Sequence, residues 1–314
     1  MFSSVRYLHY PSKVILLRHF KFILTRGLIN IPINSIWRRI QSLVRELPVQ
    51  RWLKYLEIKF VPRTVRSPSP SSHNMPQLLI QAPQIVLITG ISPRSIGLTT
   101  ATAIASQAPS LLILASRTRT RVEEVAAEIK SKYPATRIEI VLLDLASQKA
   151  IRQAVSEINK LTSTLDILIN NAGVMVTSRQ KTSDGLELAF GTNHIGPFLF
   201  TNLLFPLLRN AARSNPPGAT RVVNLTSKGH RLSPIRFSDY NFEGKPVPPD
   251  EDHVKPLPGT FNIFTDDGYN GIVTYCQSKT ANILFTLYLQ KVWQRFGIVA
   301  YAVQPGSTFA PVLF

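Results

Sequence analysis

Short apolar runs alternate with longer amphipathic stretches from about Gln84 onward. Six runs are almost continuously apolar, as parallel strands covered on both faces require. They are IVLITG (85–90), LLILASR (111–117), IEIVLLD (138–144), LDILINNAG (165–173), RVVNLTS (221–227) and IVAYAVQPG (298–306). Helices are predicted between them, near 97–107, 119–132, 147–161, 190–213 and 274–296. Because crossovers between parallel strands are right-handed, this alternation predicts an α/β fold with a doubly wound parallel sheet of six strands.

Residues 1–74 have a different texture, with 13 Lys and Arg but only Glu46 and Glu57 as acids. The basic residues interrupt every apolar run, so no membrane-spanning helix is predicted. The segment is compatible with a passive extension that ends in the Ser/Pro linker TVRSPSPSSHNMPQ, with a mitochondrial targeting sequence, or with a basic helix that contacts a membrane surface. We therefore expect a basic extension over 1–74, a catalytic domain over 75–314, and a cytoplasmic or mitochondrial location.

Composition excludes several classes of protein. Hydrophobic residues make up 44% of the chain, which is enough for a sizeable core. Cys276 is the sole cysteine, so an intrachain disulfide and a cysteine-built zinc site are excluded, and no metal is expected. The net charge of +18 is concentrated in the first 74 residues. Nucleic-acid binding would rest on this charge alone, and we do not predict it.

The end of the first apolar run carries the first chemical signal. Thr89 and Gly90 are followed by ISPRSIG, which predicts a tight turn that leads into a helix. The free N–H groups at such a helix start can hold the pyrophosphate of a nucleotide. By itself this signal is weak, because many turns in α/β proteins contain glycine.

Tyr275 and Lys279 form the second signal, because residues four apart lie on one face of a helix. A lysine ammonium beside a phenol stabilises the phenolate, so the pKa of Tyr275 is expected to fall toward neutrality. A hydroxyl from Ser227 could then bind the same substrate oxygen. This arrangement suits carbonyl reduction or alcohol oxidation with a hydride carrier.

Taken together and in this order, the glycine turn, NNAG (170–173), NLTS (224–227) and YCQSK (275–279) resemble the short-chain dehydrogenase/reductase family. The resemblance implies a Rossmann-like fold, with Tyr275 as proton donor or acceptor and Lys279 as its partner. It also implies that Ser227 polarises the substrate carbonyl and that Asn193 holds a water of the proton relay. The implied cofactor-binding residues are Gly90, Ser92, Arg94, Ser95, Ile96, Gly97, Arg117, Asp144, Leu145, Asn171, Ala172, Gly173, Tyr275, Lys279, Pro305 and Gly306.

The stretch from SPIRFSDYNFEG to YCQSKTANILF further resembles retinol dehydrogenase-like and related fungal members of that family. That resemblance implies a small apolar carbonyl or alcohol as substrate. The second strand ends in Ser116 and Arg117 without an acid, and Arg94 lies in the glycine turn. Two cations suit a 2′-phosphate, so the expected cofactor is NADP(H). The sequence predicts no oligomeric state.

Several features depart from the family pattern. The glycine turn is one residue longer, Ser95 stands where the middle glycine is expected, and Ala310 replaces a threonine. The chain ends at Phe314, from which we expect an open sheet edge and an incomplete substrate pocket. An inactive or merely nucleotide-binding relative is therefore the alternative to an enzyme.

The connection between Ser227 and Tyr275 is far longer than usual. It is compatible with a substrate lid or with an irregular surface loop. His194 and His230 lack metal-ligand spacing and are expected to be ordinary polar residues.

Overall fold

The computed structural model describes residues 84–253, 256–257 and 259–306. Within them, six parallel strands form one sheet in the order β3-β2-β1-β4-β5-β6. The strands are β1 Ile85–Thr89, β2 Leu111–Ser116, β3 Ile138–Leu142, β4 Ile167–Asn170, β5 Thr220–Leu225 and β6 Ile298–Val303. The doubly wound sheet predicted from the apolar runs is confirmed. The expectations for residues 1–74, their linker and Ala310 lie outside the described residues.

The helices lie between the strands, where the sequence predicts them. They are α1 Ile96–Ala105, α2 Arg119–Lys132, α3 Gln148–Leu161, α4 Leu188–Phe190, α5 Gly196–Leu203, α6 Phe205–Ser214 and α7 Gly271–Trp293. A π-helical segment, Gly191–Ile195, joins α4 to α5. Four 3-10 turns complete the description: Lys228–Arg231, Pro249–Glu251, Gly259–Phe261 and Gln294–Phe296.

The central strands are buried on both faces. Val86 and Ile88 of β1 pack with α1 and α2, whereas Leu87 lies between them in sequence and points to the opposite face. All three side chains are completely buried. Successive side chains point to opposite faces and all are buried, so both faces of the sheet must be covered. This explains why β1 is apolar throughout.

The predicted long helix over 190–213 is divided in the structure. Pro197 has no N–H to donate to the carbonyl of Asn193, and the π-helical segment lies immediately before it. Pro206 lies at the start of α6, and Leu204 breaks the helix just before it. The apolar pattern predicts the helical content correctly, but the two prolines divide it into α4, α5 and α6.

The connection from Lys228 to Asn270 is irregular and is anchored by polar contacts. Arg236 reaches Asp239 and Asp252 at 3.5 and 3.1 Å. Nearer the sheet, Asn241 accepts the backbone N–H of Glu187 at 2.9 Å. Arg179 contacts Asp267 at 2.7 Å. The described parts of this connection are therefore tied to the segment that follows β4.

The carboxyl ends of the strands define the functional edge. The chain crosses from β1 to β2 on one side and later returns to β4 on the other side of β1. The connections after β1 and β4 therefore diverge and leave a crevice at their carboxyl ends. Gly90 and the NNAG residues lie at this position.

Substitution of Gly196 can test how closely α5 packs beside this crevice. It has an ordinary helical φ of −60°. An alanine there should therefore gain about 1 kcal/mol of helix propensity. A Cβ at this position would, however, overlap the backbone carbonyl of Leu145. We expect Gly196→Ala to lower the free energy of unfolding by about 1–3 kcal/mol, measured by urea denaturation. A more stable variant would show that this contact relaxes freely.

Candidate active site

Gly90 and the NNAG segment are locked together at the carboxyl ends of β1 and β4. The Asn171 amide donates to the carbonyl oxygens of Thr89 and Gly90 at 2.8 and 3.0 Å. The backbone N–H of Ala172 donates to the Thr89 hydroxyl at 3.2 Å. Gly90 has a φ of +76°, and a Cβ there would lie 2.5 Å from the Ala172 Cα. Only glycine satisfies both the turn and this packing.

The turn after Gly90 accommodates its extra residue differently from the expectation. Ser95 has an extended backbone and caps α1, accepting the Leu98 N–H at 3.2 Å while donating to the Ser92 carbonyl at 2.6 Å. The left-handed residue is instead Arg94, with a φ of +55°. The one left-handed residue between Gly90 and Gly97 in this turn is therefore Arg94, whereas Ser95 serves as the helix cap.

The start of α1 presents unused hydrogen-bond donors. Within the described residues, no acceptor takes the backbone N–H groups of Ile96 and Gly97. A Cβ on Gly97 would lie 2.6 Å from the Gly90 carbonyl, so the helix start is pressed against the turn. The N-terminus of a helix is a favourable place for an anion.

Further predicted cofactor residues border the same edge. Asp144 follows β3, where its carboxylate accepts the Ala146 N–H at 2.9 Å and closes a turn. Leu145 is buried beneath Gly196. Pro305 and Gly306 follow β6 and are exposed. The hydrogen bond from Thr226 N–H to the Val303 carbonyl, 2.9 Å long, keeps the end of β6 beside β5.

Arg94 and Arg117 are both exposed, and neither has an ion-pair partner in the described part of the chain. Arg117 directly follows β2, which pairs with β1, the strand that precedes Gly90. Both cations are therefore available to an anion from outside the chain.

Ser227, Tyr275 and Lys279 come together beyond the carboxyl end of β5. The Ser227 side chain lies near the Tyr275 phenol, where it lowers the pKa of that phenol. The Lys279 Nζ lies 5.3 Å from the centre of the Tyr275 ring and donates to the Leu225 carbonyl at 3.3 Å. A Cβ on Gly173 would lie 3.2 Å from the same Nζ. The structure thus brings the predicted Ser, Tyr and Lys together beside the NNAG segment.

Asn193 is held by three hydrogen bonds. Its carbonyl oxygen accepts the Val174 N–H at 2.7 Å, and its amide donates to the Val174 carbonyl at 2.8 Å and to Ser278 Oγ at 3.0 Å. The side chain therefore connects the segment after β4 with α7, one turn from Tyr275. The widened backbone of the π-helical segment determines its position, and Pro197 is the sequence signal for that segment.

Burial dominates the electrostatics of this cluster. Desolvation lowers the pKa of Lys279 to about 8. Desolvation also raises the pKa of Tyr275, against a smaller lowering effect of the Ser227 hydrogen bond. The expectation that Lys279 brings the pKa of Tyr275 toward neutrality is wrong for this arrangement, because the ammonium lies over the ring and burial outweighs it. Tyr275 is therefore a protonated phenol at neutral pH.

Asn282 was missed by sequence reasoning, and the role expected for His194 was different from the one found. The Asn282 amide donates to the same Leu225 carbonyl at 3.1 Å, and its oxygen lies 3.1 Å from His194 Nδ1. His194 is completely buried among aromatic rings, and desolvation lowers its pKa to about 4. It is therefore a neutral core residue and not an ordinary polar one. The spacing of Asn282, three residues after Lys279, was the available signal.

His230 also contacts the cluster. Its Nδ1 lies 2.6 Å from the Ser227 carbonyl, which can only accept, so Nδ1 carries a proton. Cys276 is buried, and its sulfur would lie 2.8 Å from a Cβ on Gly229, so it packs beneath the turn that follows Ser227. Among the described residues, no group of three His, Cys, Asp or Glu is arranged to hold a metal ion.

Comparison with known proteins decides the family. The model of the short chain dehydrogenase family matches residues 84–241. The chain belongs to this family. Its sheet and its Ser, Tyr and Lys cluster agree with that membership, and the predicted resemblance is confirmed. The family comprises oxidoreductases that act on alcohol or carbonyl groups of small molecules with a nicotinamide nucleotide.

The sequence relatives include both of the predicted groups. Oxidoreductase fscI from Fusarium equiseti is 36% identical over 229 residues, which are 72% of this chain and 88% of that protein. Retinol dehydrogenase 13 from Homo sapiens is 35% identical over 221 residues, which are 70% of this chain and 58% of that protein. The matched part of the chain thus spans about three fifths of the retinol dehydrogenase and most of the fungal oxidoreductase.

The solved structures agree on the fold. A protein from Mycobacterium paratuberculosis is 29% identical, with a TM-score of 0.54 over 74% of this chain and 71% of its own. The NADPH-bound carbonyl reductase from chicken fatty liver is 22% identical, with a TM-score of 0.50 over 71% of this chain and 75% of its own. At this identity the second match shows the fold alone. No helix within the described ranges is both long and apolar enough to cross a membrane.

The buried ammonium gives a stability prediction. The pKa of Lys279 is about 8 in the fold against an ordinary value of 10.5. The charged form is therefore disfavoured on folding, which destabilises the protein below pH 8 and ceases to do so as the pH rises toward 10.5. We expect Lys279→Met to raise the free energy of unfolding at pH 7 by roughly 3 kcal/mol, and this gain to shrink at pH 9.5.

Urea denaturation at both pH values measures this difference. Lys130→Met is the matched control, because Lys130 is exposed on α2. That substitution should change stability little at either pH. A Lys279→Met protein that is less stable than the wild type at pH 7 would contradict the desolvation argument.

Proposed function

We propose that this chain is an NADP(H)-dependent oxidoreductase that interconverts an apolar carbonyl compound and its alcohol, with Tyr275 as the proton-exchanging residue. The convergence of the Ser227 side chain and the Lys279 Nζ on Tyr275, with the Nζ 5.3 Å from the ring centre, is the observation that carries the proposal. Two neighbouring hydroxyls can bind a common carbonyl oxygen of a substrate.

The residues at the crevice fit a nicotinamide nucleotide. Gly90 and Gly97 bring the backbone of the turn close to the start of α1, where the Ile96 and Gly97 N–H groups can bind a pyrophosphate. Gly173 lies next to the Lys279 Nζ and has no side chain, which would leave room for ribose hydroxyls to approach the buried ammonium. When bound, the nucleotide supplies or accepts the hydride.

The remaining predicted residues complete this proposed binding site. Asn171 and Ala172 fix the turn through Thr89, and Ser92 and Ser95 close it. Asp144 and Leu145 lie at the end of β3, where they would border the adenine. Pro305 and Gly306 would border the nicotinamide from the end of β6.

Arg94 and Arg117 support a preference for NADP(H) over NAD(H). Both are exposed cations on the connections that follow β1 and β2. A guanidinium binds a phosphate in two parallel hydrogen bonds. An unphosphorylated ribose carries no negative charge that would pair with these arginines. An acid at the end of β2 would favour the ribose 2′-hydroxyl, and Ser116 and Arg117 occupy that position instead.

The protonated phenol of Tyr275 can serve as the acid in carbonyl reduction. Burial keeps the Tyr275 phenol protonated, so it can donate to the alkoxide that develops on a reduced carbonyl carbon. Ser227 would hold the same oxygen, and the Lys279 ammonium would stabilise the resulting phenolate. Asn193 would fix the segment after β4 and hold a water that returns the proton.

An apolar substrate is inferred from the relatives, which include retinol dehydrogenases. The described part of the connection between β5 and α7 carries exposed apolar residues, Phe261, Ile263 and Phe264. They precede α7, the helix that carries Tyr275, by seven to ten residues in the sequence. Exposed apolar side chains of this kind are compatible with an apolar substrate.

Tyr275→Phe tests the proton transfer. We expect turnover of apolar ketones and aldehydes to fall by at least a thousandfold, because phenylalanine has no proton to donate. NADPH affinity should stay within about twofold, since the hydroxyl is proposed to contact the substrate. Absorbance of NADPH measures the first quantity and fluorescence titration the second. Tyr133→Phe, on the surface turn after α2, is the control and should behave as the wild type.

Retained turnover in Tyr275→Phe would overturn the proposed mechanism. A wild-type protein that binds NADPH but reduces none of these substrates would instead support the alternative of a nucleotide-binding relative.

Arg117→Asp tests the cofactor preference. A carboxylate repels the 2′-phosphate and accepts from a 2′-hydroxyl, so the ratio of NADPH to NADH affinity should fall. Charge-assisted hydrogen bonds are worth about 1.5–3 kcal/mol, so the loss in NADPH affinity should be about tenfold or more. Arg121→Asp makes the same charge change farther along α2 and should leave the ratio nearly unchanged. An unchanged ratio in Arg117→Asp would show that Arg117 does not bind the phosphate.

A further inference from the structure

Glu187 is a completely buried carboxylate to which the proposed function assigns no role. One carboxylate oxygen accepts the Ala189 N–H at 2.9 Å, and the other accepts the Phe190 N–H at 2.6 Å. Glu187 therefore caps α4, which leads through the π-helical segment to Asn193. Burial raises the pKa of Glu187, while these hydrogen bonds oppose the rise.

Tyr269 connects this cap to the helix that carries Tyr275. Its hydroxyl lies 2.8 Å from Glu187 Oε1 and 3.0 Å from the Thr274 hydroxyl. Thr274 is the neighbour of Tyr275 in the first turn of α7. The Glu187 carboxylate can only accept, so the Tyr269 hydroxyl donates to it, and the Tyr269 oxygen can accept the Thr274 hydrogen. The Gly271 carbonyl, 3.0 Å from Thr274 Oγ1, is the competing acceptor for that hydrogen. A continuous polar link thus runs from the start of one catalytic helix to the start of the other.

We propose that Glu187, Tyr269 and Thr274 form a positioning bridge that sets the placement of Tyr275 relative to Asn193. The inference rests on the proposed function of Tyr275 and Asn193. None of the three bridge residues is required to touch substrate or nucleotide. They act through the two helices that they join.

The bridge adds to an existing hydrogen bond between the segment of Asn193 and α7. Asn193 already reaches α7 through its hydrogen bond to Ser278. One hydrogen bond fixes a distance but leaves rotation about it free. The bridge fixes a second point, because Glu187 lies six residues before Asn193 and Thr274 four residues before Ser278. With the contact of His194 to Asn282 farther along α7, the two segments are held at three points, and the bridge is the one at the start of both.

The hydroxyl of Tyr269 can be separated experimentally from its ring. The ring packs edge-on against Phe242, with centroids 5.9 Å apart, and the Arg179 guanidinium lies 5.4 Å from its centre. Tyr269→Phe retains both ring contacts and removes only the bridging oxygen. The charged groups near the bridge are Arg179 and its partner Asp267, and this substitution leaves both in place.

The test compares Tyr269→Phe with Thr286→Val in the full chain. Thr286 lies farther along α7, and its hydroxyl accepts a buried hydrogen bond from Asn224 at 2.9 Å, so its replacement also removes one buried hydroxyl contact. We expect Tyr269→Phe to lower kcat by about tenfold while KM for NADPH stays within about twofold. Thr286→Val should leave kcat within about twofold, although both variants lose thermal stability.

Coupling through the bridge gives a second measurement. If Glu187 and Tyr269 act as one unit, the double variant Glu187→Gln, Tyr269→Phe should lose no more kcat than the worse single variant. Independent structural roles would instead multiply their effects. A multiplicative loss would therefore overturn the bridge, even if each single variant is impaired.

A third measurement needs no substrate. Tyrosinate absorbance can be titrated with alkali in the Tyr269→Phe protein and in the double variant Tyr269→Phe, Tyr275→Phe. The difference between these two titration curves reports Tyr275 alone. The Ser227 hydrogen bond lowers the pKa of Tyr275, so displacement of Tyr275 should move this titration to higher pH. Thr286→Val should leave it unchanged.

The outcomes separate this inference from the proposed function. Wild-type turnover that is lost in Tyr275→Phe but retained within twofold in Tyr269→Phe would overturn the bridge and leave the function standing. Absence of turnover in the wild type would refute the function, and the titration would still decide on the bridge. An unchanged Tyr275 titration in Tyr269→Phe would then overturn it.

Discussion

The buried ammonium of Lys279 is the constraint on which the rest of the site depends. A charge removed from water must be compensated by polar groups, and among the described residues the Leu225 carbonyl accepts from it. That carbonyl also accepts from Asn282, whose oxygen faces the neutral His194. The end of β5, the middle of α7 and the π-helical segment are therefore held around one cation. The site keeps this cation at a cost in stability because the apolar surroundings alone would favour an uncharged side chain.

Most of the fold could be predicted from the sequence because the strands are buried on both faces. A continuous apolar run such as LLILAS in β2 predicts a central strand that is buried on both faces. Right-handed crossovers then limit the possible topologies. The divided helix could not be predicted from burial, because apolar residues on both sides of the breaks, such as Phe190, Phe198 and Leu208, are equally buried. Backbone hydrogen bonding, and not the burial of side chains, determines where Pro197 and Pro206 interrupt it.

The candidate site was predictable to the extent that its chemistry depends on spacing along one element. Tyr275 and Lys279 lie one helical turn apart, so their proximity follows from the helix itself. The electrostatic outcome was not predictable, because it depends on how deeply both groups are buried by residues far away in the sequence. The same holds for Glu187 and Tyr269, which are 82 residues apart and meet only in the folded chain. The left-handed conformation of Arg94 was not predictable either, because the extra residue of the turn leaves no fixed spacing from Gly90 or Gly97 on which to place it.

The left-handed conformation of Arg94 places two demands on a single position. An L-residue other than glycine costs about 1–2 kcal/mol in this region, so a glycine would relax the turn. Under the proposed assignment the same glycine would remove a cation from the phosphate side of the nucleotide. Easier folding of the loop and discrimination between the two nicotinamide nucleotides are therefore opposing selective pressures on one codon. Under that assignment Arg117 would still present a cation if Arg94 were replaced, so the second arginine would limit what the change costs in phosphate binding.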